Sequence, residues 1–238
     1  MAVKEAELRR KEAELLEREA QLKENERNSN LSRLPNFPYC WPVMYHNINV
    51  DIPRSNRRIM IWMYRSWLFC FICLFVNIVA SLAVMLSHPT GVTSAARDFG
   101  VSIVYAVGIA ITSFYLWYRP VYNAFMKESS MYFNFYFFFG GWHVLFDFYM
   151  ALGIPGSGSA GIIYAMSLLS DDSSKFAGGV MCIVAAILWI MTGLMSLYMY
   201  RQAHWHYRIK GLTTDEAQNE AMKGVAKSGV LTALIRAA

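Results

Sequence analysis

Four long apolar runs dominate the hydrophobic pattern: Trp67 to Leu86, Phe99 to Leu116, Met131 to Leu152 and Gly178 to Tyr200. Each is long enough, at about 1.5 Å per helical residue, to cross a hydrocarbon core of roughly 30 Å. The pattern predicts an all-α integral membrane protein with four transmembrane helices. Where the first helix begins is left open by the pattern, because Ile59 to Tyr64 is apolar too and Arg65 can snorkel from inside a longer helix.

The polar stretches between the runs divide the chain into four parts. Residues 1–30 are helix-forming and charged, with KEAEL at Lys4 to Leu8 and again at Lys11 to Leu15, and REAQL at Arg18 to Leu22. Each seven-residue repeat offers a single apolar seam position, too few for a self-made coiled coil, so a solvated spacer or docking helix is expected. Residues 31–65 form a Pro- and aromatic-rich segment that leads through Arg54, Arg57 and Arg58 into the first span; proline removes backbone donors and keeps this part extended. Residues 66–200 hold the spans, with a connecting loop at 117–130, and 201–238 form a basic tail. The run Ile162 to Leu169 is too short to span and is expected to lie on the surface or re-enter. Thr213-Thr214-Asp215-Glu216 has capping-box spacing and predicts a short helix from about Asp215 towards Lys223.

Composition agrees with this reading: 55% of residues are hydrophobic, beyond the range of ordinary soluble domains. The N-terminus has no apolar leader pattern, so the first span is expected to serve as an uncleaved anchor. Arg33, Arg54, Arg57, Arg58, Arg65, Arg119, Lys127, Arg201, Arg208, Lys210, Lys223, Lys227 and Arg236 fall on one side of the spans, against Arg97 and Lys175 on the other. The positive-inside bias then puts both termini and the 117–130 loop in the cytosol. The net charge of +5 belongs to these flanks and suits an anionic leaflet, not nucleic acid. Cys70, Cys73 and Cys182 lie in spans and Cys40 on the cytosolic approach, which leaves no lumenal disulfide framework; Cys70-x-x-Cys73 reads as apolar packing.

Ionisable residues inside a span are functional candidates by default. His143 and Asp147, four apart, share one face of the third span. A proton or ion path, a His-x-x-x-Asp acyltransferase pattern and a structural pair are the three readings. The structural pair is preferred, because no second motif supplies a substrate pocket and the pair stands nearly alone. Asn77, Gly140-Gly141, Thr192 and Gly193 read as packing features, and Phe133, Phe135, Phe137, Phe138 and Phe139 as a membrane-facing filler. Tyr45-x-x-Ile48 fits a loose sorting signal.

Trp117 to Phe125, WYRPVYNAF, puts four rings and an arginine into nine residues where membrane meets water. With Cys40-Trp41-Pro42, Asp51-Ile52-Pro53, Phe75-Val76-Asn77 and Ala151-Leu152-Gly153-Ile154-Pro155-Gly156, it resembles the secretory carrier-associated membrane proteins from Pro35 to about Gly211. The resemblance implies a non-enzymatic, cofactor-free protein of vesicle trafficking, exocytosis and endocytosis in Golgi, endosomal, secretory-vesicle and plasma membranes. It implies lipid contact, phosphoinositides included, by Trp117, Tyr118, Arg119, Pro120, Tyr122 and Phe125; Lys127, the loop's other cation, is expected to join them, and cytosolic trafficking or fusion proteins and a second copy of the chain are expected as partners. Typical members carry a cysteine at the position of Leu116 and basic residues at those of Asn123 and Met126, so this loop has less charge. The rings Trp117, Tyr118, Tyr122 and Phe125 are therefore expected to wedge into the bilayer interface, with Arg119 and Lys127 as an electrostatic aid. The alternative function is a small proton-coupled channel or carrier using His143 and Asp147.

Overall fold

A computed structural model describes residues 10–12, 14–19, 21, 34–38, 41–87, 93–170 and 175–227. The first KEAEL repeat, Cys40, the His88-Pro89 link and Asp171-Asp172 lie outside them. The chain divides into two units, Met1–Asp51 and Ile52–Ala238.

In the first unit, residues 10–12, 14–19 and 21 are helical and exposed, and Leu15 and Leu16 are 60% and 67% exposed, as expected of a seam with too few apolar positions. The Pro-rich segment turns back on itself. Val43 N–H donates to the Phe37 carbonyl at 2.9 Å, Asn36 Oδ1 accepts from His46 N–H at 2.7 Å, and the Phe37 and His46 rings stack at 4.7 Å. Burial lowers the His46 pKa, opposed by the nearby Asp51 carboxylate. A single helical turn, α1 (Ile48–Asp51), closes the unit.

Among its described residues the second unit contains helices α2 (Arg57–Ser87), α3 (Ala95–Ser113), a π-helical turn (Phe114–Tyr118), α4 (Arg119–Lys127), α5 (Ser130–Leu152), α6 (Ile162–Leu169), α7 (Phe176–Ile209) and α8 (Thr214–Lys227). The packing rule is the membrane one. Along α2 the buried positions are Met60, Met63, Ser66, Trp67, Cys70, Cys73, Leu74, Asn77, Ala80, Ser81 and Val84, a 3-and-4 spacing rich in small and polar residues. Leu68, Ile72, Phe75, Val79 and Leu86 face outward. Helix α7 repeats the arrangement, burying Gly178, Gly179, Cys182, Ala185, Ala186, Thr192, Gly193 and Ser196. Small residues let helix backbones approach where no hydrophobic force drives association. At Gly193 an added Cβ would come within 3.0 Å of the Phe148 ring. Cys73 Sγ and Thr192 Oγ1, 3.0 Å apart, tie α2 to α7.

Among the described residues, three stretches are long and apolar enough to cross a membrane: Arg57–Ser87, Ala95–Lys127 and Phe176–Ile209. The first and last run further than the apolar runs predicted, through Arg65 and past Tyr200. The fourth expected span, α5, has the length, 23 residues. Its Tyr, Trp, Asn, Gly, His and Asp content keeps it out of that set.

The expected 117–130 loop is mostly helical. Pro120 lacks an N–H and crowds the carbonyl four residues back, which would break an α-helix. Here the break is absorbed by the π turn, in which Arg119 N–H reaches the Phe114 carbonyl five residues away, so the helical path continues to Lys127. Glu128, with φ of 50°, then ends α4 in the left-handed region and α5 starts at Ser130.

Candidate functional site

Two faces divide the Arg119–Lys127 helix. Tyr118, Val121, Tyr122 and Phe125 point one way and are fully buried; Arg119, Asn123, Met126 and Lys127 occupy the other face and retain exposure. The four rings expected to enter lipid are inside the protein, Trp117 at 6% exposure and the other three at 0%. Tyr118 stacks on Trp67 of α2 at 4.9 Å, Trp117 on His143 of α5 at 5.0 Å, and Phe125 lies 5.2 Å from Phe133 of α5 and 5.1 Å from His206 of α7. The peptide thus touches three helices at once, and Pro120 is buried with it. In this conformation wedging is replaced by internal packing, because the surrounding helices offer ring partners at the same depth. Phe133 likewise belongs to the core, whereas Phe135 and Phe138 face outward as expected.

The second polar feature joins the first. His143 lies between the Trp117 ring and Asp147, with His143 Nε2 3.7 Å from Asp147 Oδ1, beyond hydrogen-bond reach. Ser196 of α7 donates to Asp147 Oδ2 at 3.0 Å. Trp117 Nε1, His143 Nε2 and Asp147 Oδ1 are buried without a hydrogen bond to protein. A cavity of about 10 Å³ adjoins Ser66, Trp117, His143 and Ser196, room for about one water.

At this same end, α8 closes over the start of α5. Its capping box forms as the spacing predicts, Glu216 N–H donating to Thr213 Oγ1 and Thr213 N–H to Glu216 Oε2, both at 3.2 Å. Glu220 Oε2 accepts from Ser129 Oγ at 2.6 Å and from Met131 N–H at 3.0 Å, so an acid from the tail serves as cap for α5. Lys210 pairs with Glu128 at 2.8 Å, both partly exposed. Of the basic approach, Arg54 and Arg58 are exposed, and half-buried Arg57 donates from Nε to the Ile52 carbonyl at 3.0 Å.

The sequence model of the SCAMP family matches residues 34–210, which include the whole ring-bearing peptide and the four long helical stretches around it. The chain belongs to the SCAMP family. It is 32% identical to secretory carrier-associated membrane protein 2 of Homo sapiens, covering 85% of this chain and 60% of the relative. It is 34% identical to secretory carrier-associated membrane protein 1 of Sus scrofa, over 89% and 61%, and 28% identical to secretory carrier-associated membrane protein 4 of Bos taurus, over 83% of both. The chain therefore spans about 60% of the length of the first two relatives. No solved structure matches it.

One site in this SCAMP-family chain escaped the sequence reading. At the end of the helices opposite α8, Asp98 is 1% exposed, and its carboxylate accepts from Gly156 N–H at 2.9 Å, Gly158 N–H at 2.9 Å, Ser94 Oγ at 3.0 Å and the Tyr164 hydroxyl. Asn77, expected only as a packing residue, completes the anchor: its Nδ2 donates to the Gly158 carbonyl at 2.9 Å, and its Oδ1 accepts from Ala160 N–H at 3.0 Å. Gly156 and Gly158 have φ of 90° and 81°, a left-handed conformation that points both N–H groups at one carboxylate. Burial, followed by donation to Asp98, pushes the Tyr164 phenol up to about 12. The available signal was an acid in the first turn of an apolar span, together with a distant Gly-x-Gly turn whose donors needed an acceptor.

Proposed function

We propose that this chain is a vesicle-trafficking membrane protein of the exocytic and endocytic recycling pathways, acting in membrane fusion and cargo recycling. The observation that carries the reading is the family match over residues 34–210, with the signature peptide inside it. Four helices cross the membrane in this proposal, α5 being the fourth, and both termini and α4 face the cytosol. The protein resides in Golgi, endosomal, secretory-vesicle and plasma membranes, with cytosolic trafficking or fusion proteins as partners and self-association through its outer helix faces.

Burial changes the role proposed for the signature. Trp117, Tyr118, Tyr122 and Phe125 hold α4 rigidly against α2, α5 and α7. Arg119 and Lys127 then meet anionic headgroups, phosphoinositides among them, with Arg54, Arg57 and Arg58 contributing from the start of α2. At about 1 kcal/mol per basic residue these contacts are individually weak and act together. The test is docking of vesicles carrying the reconstituted chain to vesicles with and without phosphoinositide. Arg119→Ala with Lys127→Ala should reduce docking to the anionic vesicles alone, and equal loss on neutral vesicles would remove the electrostatic role. Protease protection of tags on both termini tests the orientation.

A small proton-coupled channel or carrier is the second reading, supported by the buried, incompletely bonded His143 and Asp147 beside their cavity. A proton flux in reconstituted vesicles that Asp147→Asn abolishes would promote it above the first.

A further inference from the structure

We infer that the groove between the start of α2 and the end of α7 is a binding site for a single anionic phospholipid, distinct from the signature peptide. The groove encloses about 530 Å³, within the roughly 300–1,000 Å³ of ordinary ligand sites. Its walls are graded. The two helices run antiparallel, so α2 enters where α7 leaves, and on both walls the polar residues lie at that shared end. From Ser55 the order inward on α2 is Arg58, Ile59, Trp62; on α7 it is Gln202, Met199, Tyr198, Met195, and the Tyr198 hydroxyl accepts from Gln202 Nε2 at 3.0 Å, on the polar side. At about 1.5 Å per residue, Gln202 to Met195 spans on the order of 10 Å, the distance over which a bilayer passes from headgroup to acyl chain.

Charge and ring placement point the same way. Among the described residues no carboxylate pairs with Arg58, nor with Arg201 and Arg208 near the same end of α7. Trp62, 41% exposed, stands in the wall with the Arg65 guanidinium 5.5 Å from its ring, the ring-and-cation pairing of a membrane interface. A phosphate at Arg58 would leave the first part of an acyl chain against Ile59, Met195 and Met199. A second copy of the chain related by a two-fold axis would bring Arg58 and Arg201 against their own kind, which disfavours it as occupant. Free phosphate would leave the apolar floor unused.

The inference rests on the proposal that α2 and α7 cross the membrane with this end in the cytosolic leaflet, and it is independent of the trafficking role. The test places the full chain in phosphatidylcholine nanodiscs doped with a phosphatidylserine bearing a photoreactive acyl chain, and maps the cross-links. Labelling is expected at Met195, Met199 or Trp62, and Arg58→Gln should lower it about five-fold, the effect of one basic residue at an anionic surface. Trp62→Ala should lower it too. A phosphatidylcholine analogue that labels these residues equally well, competition by millimolar inorganic phosphate, or labelling confined to α4 and lost with Arg119→Gln would each overturn the site. A copy-to-copy cross-link through the groove would overturn it in favour of a dimer. If the chain does not enter the nanodisc at all, the membrane-spanning reading fails instead, and the two failures are told apart before any label is counted.

Discussion

The two ends of the helical unit are held by different forces. At the Asp98 end, one buried carboxylate and one buried amide gather the backbone of 156–160 into a fixed turn. At the signature end, rings from α2, the π turn, α4, α5 and α7 interlock, and the closing contacts are made by Glu216, Glu220 and the Lys210 to Glu128 pair, all near water. The first kind of contact is difficult to exchange, because every donor uncovered loses its partner without gaining solvent. The second kind can be remade by water one bond at a time. Any moving part therefore belongs at the signature end, and α8 is the piece whose release costs least.

The sharpest way to break this comparison is Asp98→Ala. It strands the N–H groups of Gly156 and Gly158 and two hydroxyl donors, each costing on the order of 1–3 kcal/mol, so a loss of about 5 kcal/mol is expected. Thermal unfolding of the detergent-solubilised chain should collapse, and a nearly unchanged midpoint would mean that the anchor is dispensable. The same site predicts an alkaline effect. A phenol raised from 10 to about 12 favours the neutral form in the fold, so its contribution is complete below pH 10 and disappears as pH rises through 12. Tyr164→Phe should remove that part of the alkaline loss.

Phe125→Ala comes next. Deleting a fully buried ring costs about 3–5 kcal/mol, the cavity included. Phe125→Leu should recover much of it. Were the ring seated in lipid instead, Phe125→Ala would leave stability nearly intact and reduce vesicle docking. This pair of measurements therefore separates packing from wedging.

Glu220→Gln is gentler. It removes the charged acceptor at the start of α5 and should cost about 1 kcal/mol, in the range of a lost helix cap. The expected readout is local: faster amide exchange and proteolysis in α8, with unfolding of the other helices unmoved. Uniform loss of protection throughout the unit would instead show that the tail is an integral part of the fold.

The sequence made the spans legible because α2, α3 and α7 are long and largely apolar, and the same property hid their packing. In lipid a buried ring and an outward ring are equally hydrophobic, so Tyr118 and Phe138 looked alike although one is at 0% and the other at 61% exposure. Residues 117–130 were read as a loop because the apolar run stops at Leu116, and the π turn that carries the helix past Pro120 leaves no mark in that pattern. Local patterns did better. The Thr213 box starts α8 as its spacing predicts, whereas the short run Ile162–Leu169, expected to lie on the surface or re-enter, is a helix that buries Tyr164 and Leu168. Asp98 stayed invisible because its partners lie 58 and 60 residues away along the chain.

The finest test concerns the junction between α4 and α5, where Glu128 holds φ of 50° while pairing with Lys210 at 2.8 Å. Left-handed backbone costs a residue with a side chain roughly 1 kcal/mol relative to glycine. A pair this exposed returns about 0.2–1 kcal/mol, less in salt. Glu128→Gly therefore trades strain for charge at nearly equal values, and the unfolding midpoint should move by less than the other substitutions move it. Its salt dependence should move more clearly, since the variant has no screened pair to lose: the native chain should weaken slightly from low to physiological salt while the variant does not. A variant that retained the native salt response would show that Lys210 is held by something other than Glu128, and the signature end would then be less dependent on exposed charge than its contrast with Asp98 requires.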